Sequence, residues 1–162
     1  MANLITYIFS GVGSGSLGTA GFTNAEFRIT IPTNTDCIYT DNSIYPAGTP
    51  MVSSAMRADE IAIAGLNTTV FERALNIAVL SINQSHESKV ALGEAPDLLL
   101  GIAGSEFRGY GLNHAIGPVS GVATVTGRTF PTAAGALVFS NIASVAFQAI
   151  LPAVTTHPKP SR

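Results

Sequence analysis

The chain has 162 residues, of which 46% are hydrophobic and only 11% are charged, and its formal net charge is -2. This length predicts a single domain that buries a core of its own. Globular proteins usually carry about 25% charged residues, so uncharged polar residues must cover much of this surface. The composition offers no basic stripe for nucleic acid, and its low charge leaves little repulsion between copies, which favours self-association.

Segments typical of a membrane span or an export signal are missing from this sequence. A span needs about 20 consecutive apolar residues, and no run approaches that length. The start, Met1-Ala2-Asn3, lacks the positive region of a signal peptide, and no apolar region follows it. The single cysteine, Cys37, cannot form an internal disulfide, and we interpret it as a half-buried free thiol.

The first part of the chain predicts two strands, at residues 3–12 and 25–31. Apolar and polar residues alternate in both, and successive side chains of a strand point to opposite faces. Pro32 is expected to end the second strand, because proline cannot donate a hydrogen bond to the ladder. The residues expected on the buried faces are Ile5, Tyr7, Phe9, Phe27, Ile29 and Ile31.

The middle of the chain is less regular. Residues 33–51 are rich in loop signals, and short strands are predicted around residues 61–63, 67–71 and 90–92. Residues 72–85 fit both strand and helix spacing. Their β-branched content and the lack of a good helix cap favour a strand.

The closing part of the chain predicts a strand at residues 119–127 and a strand pair at residues 136–151, with a bend at Asn141. Neither this pair nor the opening strand has a local partner large enough to cover its apolar face. We therefore expect the two ends to meet in one core. The closing residues expected in that core are Leu137, Phe139, Val145 and Phe147.

Short strands separated by turn signals about every ten residues predict an all-β fold. We expect an antiparallel two-sheet sandwich, jelly-roll-like, formed by residues 1–151 as one domain. Residues 152–162 are polar and broken by prolines. They predict a disordered tail.

The two ends of the chain also carry a family resemblance. YIFSGVGSGSLG at residues 7–18 runs into FTNA at 22–25, while GPVSG, GALVF and VAFQA follow at 117–121, 135–139 and 145–149. These segments resemble small bacterial exported β proteins, many of which carry a C-terminal PEP-CTERM sorting segment. The resemblance implies an all-β domain outside the cell or on its surface, and it implies no known activity. The sorting segment itself does not follow Leu151 in this sequence.

Four aromatic residues in the irregular segments form a candidate glycan-binding face. Exposed rings pack against the C–H faces of sugars. Buried anchors of the loops would explain the same residues equally well, so both interpretations stay open. The four residues are Tyr39, Tyr45, Phe107 and Tyr110.

Four acidic residues are candidate ligands for calcium, a hard cation that takes oxygen ligands. EF-hand spacing is absent around them, so turns and a solvated surface are the favoured interpretation. No other cofactor is predicted. The four residues are Asp36, Asp41, Asp59 and Glu60.

Other chemical motifs are weak. GSGSLG at residues 13–18 matches a nucleotide-binding pattern, but a strand follows it where a phosphate site needs a helix N-terminus. His86, His114 and His157 lack zinc-ligand spacing, and no serine lies in a nucleophile elbow. An enzyme would need a pocket that gathers two or more of the ionisable candidates. These candidates are Asp36, Asp59, Glu60, His86, Glu106 and His114.

The sequence therefore favours a non-enzymatic structural or interaction protein that forms homo-oligomers. The supports are the strand pattern, the low charge and the lack of a catalytic constellation. Edge strands usually carry Lys or Pro against pairing, and the chain has only two lysines, Lys89 and Lys159. The alternative is a carbohydrate-binding, lectin-like module that uses the loop aromatics.

Overall fold

The computed structural model describes residues 4–41, 48–54, 59–82, 87–94 and 97–152. These residues form strands and two short 3₁₀ turns, Thr35–Cys37 and Ser105–Phe107, with no α-helix among them. The strands are β1 (Leu4–Leu17), β2 (Ala20–Asn34), β3 (Ile38–Asp41), β4 (Thr49–Ser53), β5 (Glu60–Ile63), β6 (Thr69–Val70), β7 (Asn76–Ile82), β8 (Glu87–Glu94), β9 (Asp97–Gly104), β10 (Ile116–Val125), β11 (Phe130–Thr132) and β12 (Gly135–Ile150).

All strand pairs are antiparallel, and the strands follow one continuous path, β3-β4-β7-β8-β9-β10-β12-β1-β2-β5-β6, with β11 paired to β12. The sheet curls into a half-barrel. Strand β10 makes the path continuous, because its first part pairs with β12 and its last part, from Val122 to Val125, pairs with β9. The prediction of an antiparallel all-β fold is confirmed, while the two-sheet, jelly-roll-like arrangement stays a prediction.

The two ends of the chain meet at the middle of this path, as expected. Strand β1 pairs with β12 from Thr6 opposite Ile150 to Leu17 opposite Leu137, and β2 covers the other edge of β1. Burying such apolar side chains contributes about 1.5–3 kcal/mol each. The residues predicted for the shared core are all buried in one cluster, namely Ile5, Tyr7, Phe9, Phe27, Ile29, Ile31, Leu137, Phe139, Val145 and Phe147.

Strand β12 corrects the prediction of a strand pair with a bend at Asn141, because it is one strand of 16 residues. Its register against β1 shifts twice, between Val12 and Gly13 and between Ser14 and Gly15. Such β-bulges absorb an extra residue and bend a strand without ending it. The interrupted alternation of the sequence therefore marks bulges and not a turn.

Strand β2 corrects the prediction that Pro32 ends it, since the strand continues to Asn34 with Pro32 opposite Thr6. The ladder between β2 and β5 stops at Thr30 opposite Glu60. Beyond Thr30, β2 pairs only with β1 among the described residues. Proline is tolerated there because its missing N–H group can lie on the side of the strand that has no partner.

Among the described residues, the less regular middle of the chain contains several strands. Residues 72–85 contain β7, residues 61–63 lie in β5, and residues 67–71 contain β6. The short strand predicted at residues 90–92 lies inside the longer β8. Of the predicted disordered tail, residues 153–162 lie outside the described residues.

The segment between β9 and β10 covers the concave face of the sheet. Its side chains Phe107, Tyr110 and Leu112 are buried. The Tyr7 hydroxyl donates a hydrogen bond of 2.6 Å to the carbonyl oxygen of Leu112, and the rings of Phe107 and Phe147 lie 5.6 Å apart at their centroids. Burial raises the pKa of the Tyr7 hydroxyl, so this hydroxyl stays a hydrogen-bond donor.

Candidate interaction surfaces

Strand β3 forms one end of the strand path. It pairs with β4, from Ile38 opposite Val52 to Asp41 opposite Thr49, and with no other described strand. The side chain of Tyr39 is 43% exposed on it. Charged side chains, proline and bulges usually protect such an edge, and the only one of these in the sequence of β3, IYTD, is Asp41 at its end. Among the described residues, the outer edge of β3 therefore has no strand partner.

The local sequence explains how β3 reaches this position. The side-chain oxygen of Asn34 accepts a hydrogen bond of 3.0 Å from the backbone N–H of Asp36 and so caps the 3₁₀ turn Thr35–Cys37. That turn carries the chain from the end of β2 to β3. The side chains of Cys37 and Ile38 pack against the core, which confirms the half-buried free thiol and anchors the first residue of β3.

The opposite end of the path is closed. Phe71, next to β6, bridges to Thr132 of β11. The N–H of Glu72 donates to the carbonyl of Pro131 at 3.0 Å, and the N–H of Ala133 donates to the carbonyl of Val70 at 2.9 Å. Because β11 also pairs with β12, the strands β11, β12, β1, β2, β5 and β6 form a closed ring. The β6 edge is therefore already paired.

Two shallow grooves lie on the outer face of the sheet, opposite the buried face. The larger, of about 620 Å³, runs over β1, β2 and β5 and has Glu26 and Arg28 on its wall. The smaller, of about 370 Å³, runs over β10, β12 and β1. Ser10 and Gly11 line both grooves, so the two adjoin, and together they are called the outer trough below.

The predicted glycan face does not assemble as expected. Phe107 is fully buried and Tyr110 is 3% exposed, so these two rings do not offer an exposed face to a sugar. Both pack against Phe147, and the Tyr110 hydroxyl donates a 2.8 Å hydrogen bond to the carbonyl of His114. Tyr39 is exposed on β3, and Tyr45 lies outside the described residues. The loop-anchor interpretation therefore holds for Phe107 and Tyr110.

The four predicted calcium ligands are not alike. Asp36 and Glu60 are exposed, whereas Asp59 is buried. The backbone of Asp41 pairs with Thr49 at the end of β3. Among the described residues, no three Asp, Glu, His or Cys side chains come together as a metal site would require.

The ionisable candidates for catalysis that lie among the described residues line neither groove. Asp36, Glu60, Glu106 and His114 are exposed, Asp59 is buried, and His86 lies outside the described residues.

Asp59 is a functional candidate whose burial the sequence did not predict. The sequence favoured a position in a turn or on the solvated surface, like that of Glu60. Its side chain is 2% exposed, and its Oδ2 accepts a 3.3 Å hydrogen bond from the N–H of Leu75. Its Oδ1 has no hydrogen-bond partner among the described residues. The sequence signal for this burial is weak, because the alternation that begins at Ile61 starts only after Glu60.

Comparison of the chain with protein-family models, with curated proteins and with solved structures gives no match. Among the described residues, no helix is long and apolar enough to cross a membrane.

Proposed function

We propose that this chain is a non-enzymatic structural or interaction protein that associates with itself through the outer edge of β3. The observation that carries the proposal is the asymmetry of the two ends of the strand path. The β6 end is closed through Phe71 and Thr132, whereas β3 has one described partner and neither lysine nor proline. An open edge offers unpaired backbone donors and acceptors to another strand.

The partner is a second copy of the chain. Two β3 edges that meet antiparallel about a two-fold axis present the same residues to each other, as closed homodimers do. The net charge of -2 gives little repulsion between the copies. Because β3 has only four residues, the association is weak and depends on protein concentration.

We also propose that the strands pack as a two-sheet, jelly-roll-like sandwich and that the chain acts outside the cell or at its surface. In a two-sheet, jelly-roll-like sandwich, the closed ring would form one layer, and the strands from β3 to β9 the other. One hydrophobic cluster that contains Phe139 of the ring and Ile77 of β7 supports this packing. A place outside the cell or at its surface rests on the family resemblance of the two chain ends.

The β3 edge is tested by two matched lysine substitutions. Tyr39→Lys places a charge on the open edge, while Val70→Lys places the same charge on the closed β6 edge, at a side chain 41% exposed against 43% for Tyr39. Sedimentation velocity over a range of concentrations should show that the wild type dimerises. Tyr39→Lys should weaken the dimer by about tenfold or more, which is about 1.4 kcal/mol, and Val70→Lys should leave it unchanged.

Two outcomes contradict the proposal. One is a wild-type chain that stays monomeric at the highest concentration reached. The other is a dimer that both lysine variants weaken equally, because the β3 edge would then have no special role.

A second candidate function is glycan binding by the outer trough. Glu26 and Arg28 stand exposed on neighbouring positions of one face of β2, and among the described residues neither forms an ion pair. Carboxylate, guanidinium and the hydroxyl of Ser10 are groups that hydrogen-bond to sugar hydroxyls. This site replaces the loop aromatics, two of which are buried.

A glycan array tests this second function. The wild type should bind a set of glycans, Arg28→Ala should lose that binding at least tenfold, and Arg128→Ala should keep it, since Arg128 is exposed beside Asp97 and away from the trough. An array without any bound glycan rejects the candidate and leaves the self-association proposal untouched.

A further inference from the structure

Asp59 lies where two connections between distant parts of the sheet meet. One connection leads from β4 to β5, and the other leads from β6 to β7. The carbonyl of Asp59 accepts a 2.9 Å hydrogen bond from the N–H of Phe71, and its Oδ2 accepts one of 3.3 Å from the N–H of Leu75. The carbonyl of Leu75 in turn accepts a 3.1 Å hydrogen bond from the N–H of Ser54. Asp59 therefore ties the two connections together.

The carboxyl group of Asp59 is poorly suited to carry a charge. The residue is 2% exposed, and its Oδ1 has no hydrogen-bond partner among the described residues. A buried charge without a full set of partners costs far more free energy than a buried neutral group. The protonated carboxyl is therefore more strongly favoured in the folded chain than in the unfolded chain.

Among the described residues of these connections, no charged neighbour compensates for that cost, and Arg57 lies outside the described residues. Glu60, Glu72 and Arg73 are all exposed. Arg73 lies 3.4 Å from Glu94, with which it forms an ion pair. Burial raises the pKa of Asp59, and hydrogen bonds from Ser54 and from the backbone of Leu75 oppose this rise only in part.

We propose that Asp59 is a proton-controlled latch on the two connections: with the proton bound they are held together, and loss of the proton loosens them. The device is separate from the self-association of β3. It makes the junction between β4, β5 and β7 a part of the fold that responds to pH.

The sign of the pH dependence follows from linkage. The unfolded chain releases the Asp59 proton at the ordinary pKa of 3.8, and the folded chain releases it at a higher pH. The stabilisation is thus complete below the unfolded pKa and is lost as pH rises through the folded pKa. Between the two values, the equilibrium constant for closing falls by up to about tenfold per pH unit.

Hydrogen exchange of the Leu75 and Phe71 amides, followed by NMR across this pH range, tests the latch. Asp59→Asn keeps a side-chain acceptor for the Leu75 N–H and removes the charge, while Glu60→Gln removes an exposed charge one residue away. In the wild type and in Glu60→Gln, protection of both amides relative to intrinsic exchange should fall as pH rises. In Asp59→Asn it should stay constant.

Equal pH profiles in the wild type and in Asp59→Asn would overturn the latch. A direct titration of the Asp59 carboxyl carbon by NMR in the wild-type chain decides the question even where the Asn variant does not fold. A midpoint above 3.8 supports the latch, and a midpoint at or below that value rejects it.

Discussion

At the scale of single residues, Phe147 is the centre of the aromatic core. Its ring centroid lies 5.0 Å from Phe9 and 6.1 Å from Tyr7, both on the neighbouring strand β1. It lies 5.6 Å from Phe107 and 6.2 Å from Tyr110, which belong to the covering segment between β9 and β10. The Phe147 side chain thus packs against both the neighbouring strand β1 and the segment between β9 and β10.

Replacing Phe147 by alanine should cost about 3–5 kcal/mol of the free energy of unfolding, because the cavity removes these contacts. The matched control is Ile150→Ala on the same strand, where the side chain is 43% exposed and should change the stability by less than about 1 kcal/mol. Urea unfolding followed by circular dichroism measures both. Similar losses in the two variants would show that the core does not depend on this ring.

At the scale of elements, the pairing of β1 with β12 depends on glycines that let the two backbones approach. A Cβ atom at Gly11 would collide with the carbonyl oxygen of Ser144, and one at Gly15 would collide with the carbonyl oxygen of Val138. The glycine-rich sequence after residue 10 therefore lies in strand β1. Its glycines allow close backbone packing and do not form the phosphate-binding loop that the motif could have indicated.

Gly11→Ala should destabilise the chain by about 1–3 kcal/mol, since the added methyl group meets backbone and not a movable side chain. Gly21→Ala on β2 is the control, because the nearest atom to its added carbon is the carbonyl oxygen of Gly15 at 3.9 Å. That variant should be neutral within about 0.5 kcal/mol. Thermal unfolding of both proteins compares them, and a Gly11 variant as stable as the control would contradict the close approach.

At the scale of the whole molecule, alternation along a strand was enough to predict the shared core. The burial of side chains such as Phe9 and Phe139 can be predicted because polar and apolar residues alternate around them in the sequence. Strand order was not predictable in this way, because nothing in β10 shows that its two parts pair with different strands. The same limit applies to the ring closure at Phe71 and Thr132.

The candidate surfaces were predictable only in part, for a related reason. An aromatic residue in a loop can face water or the core, and the burial of Phe107 and Tyr110 depends on contacts with β1 and β12. The burial of Asp59 likewise depends on two connections that meet in space and are distant in sequence. Local patterns do not contain that information.

The central position of β1 and β12 also determines when the domain can fold. Strand β1 can pair with β2 as soon as both have been synthesised, because a short turn joins them. Its other edge must wait for β12, which follows after most of the chain. Contacts between such distant residues slow folding, because a long loop must close before they form. During synthesis, the edge of β1 that faces β12 therefore stays unpaired until the last strand arrives.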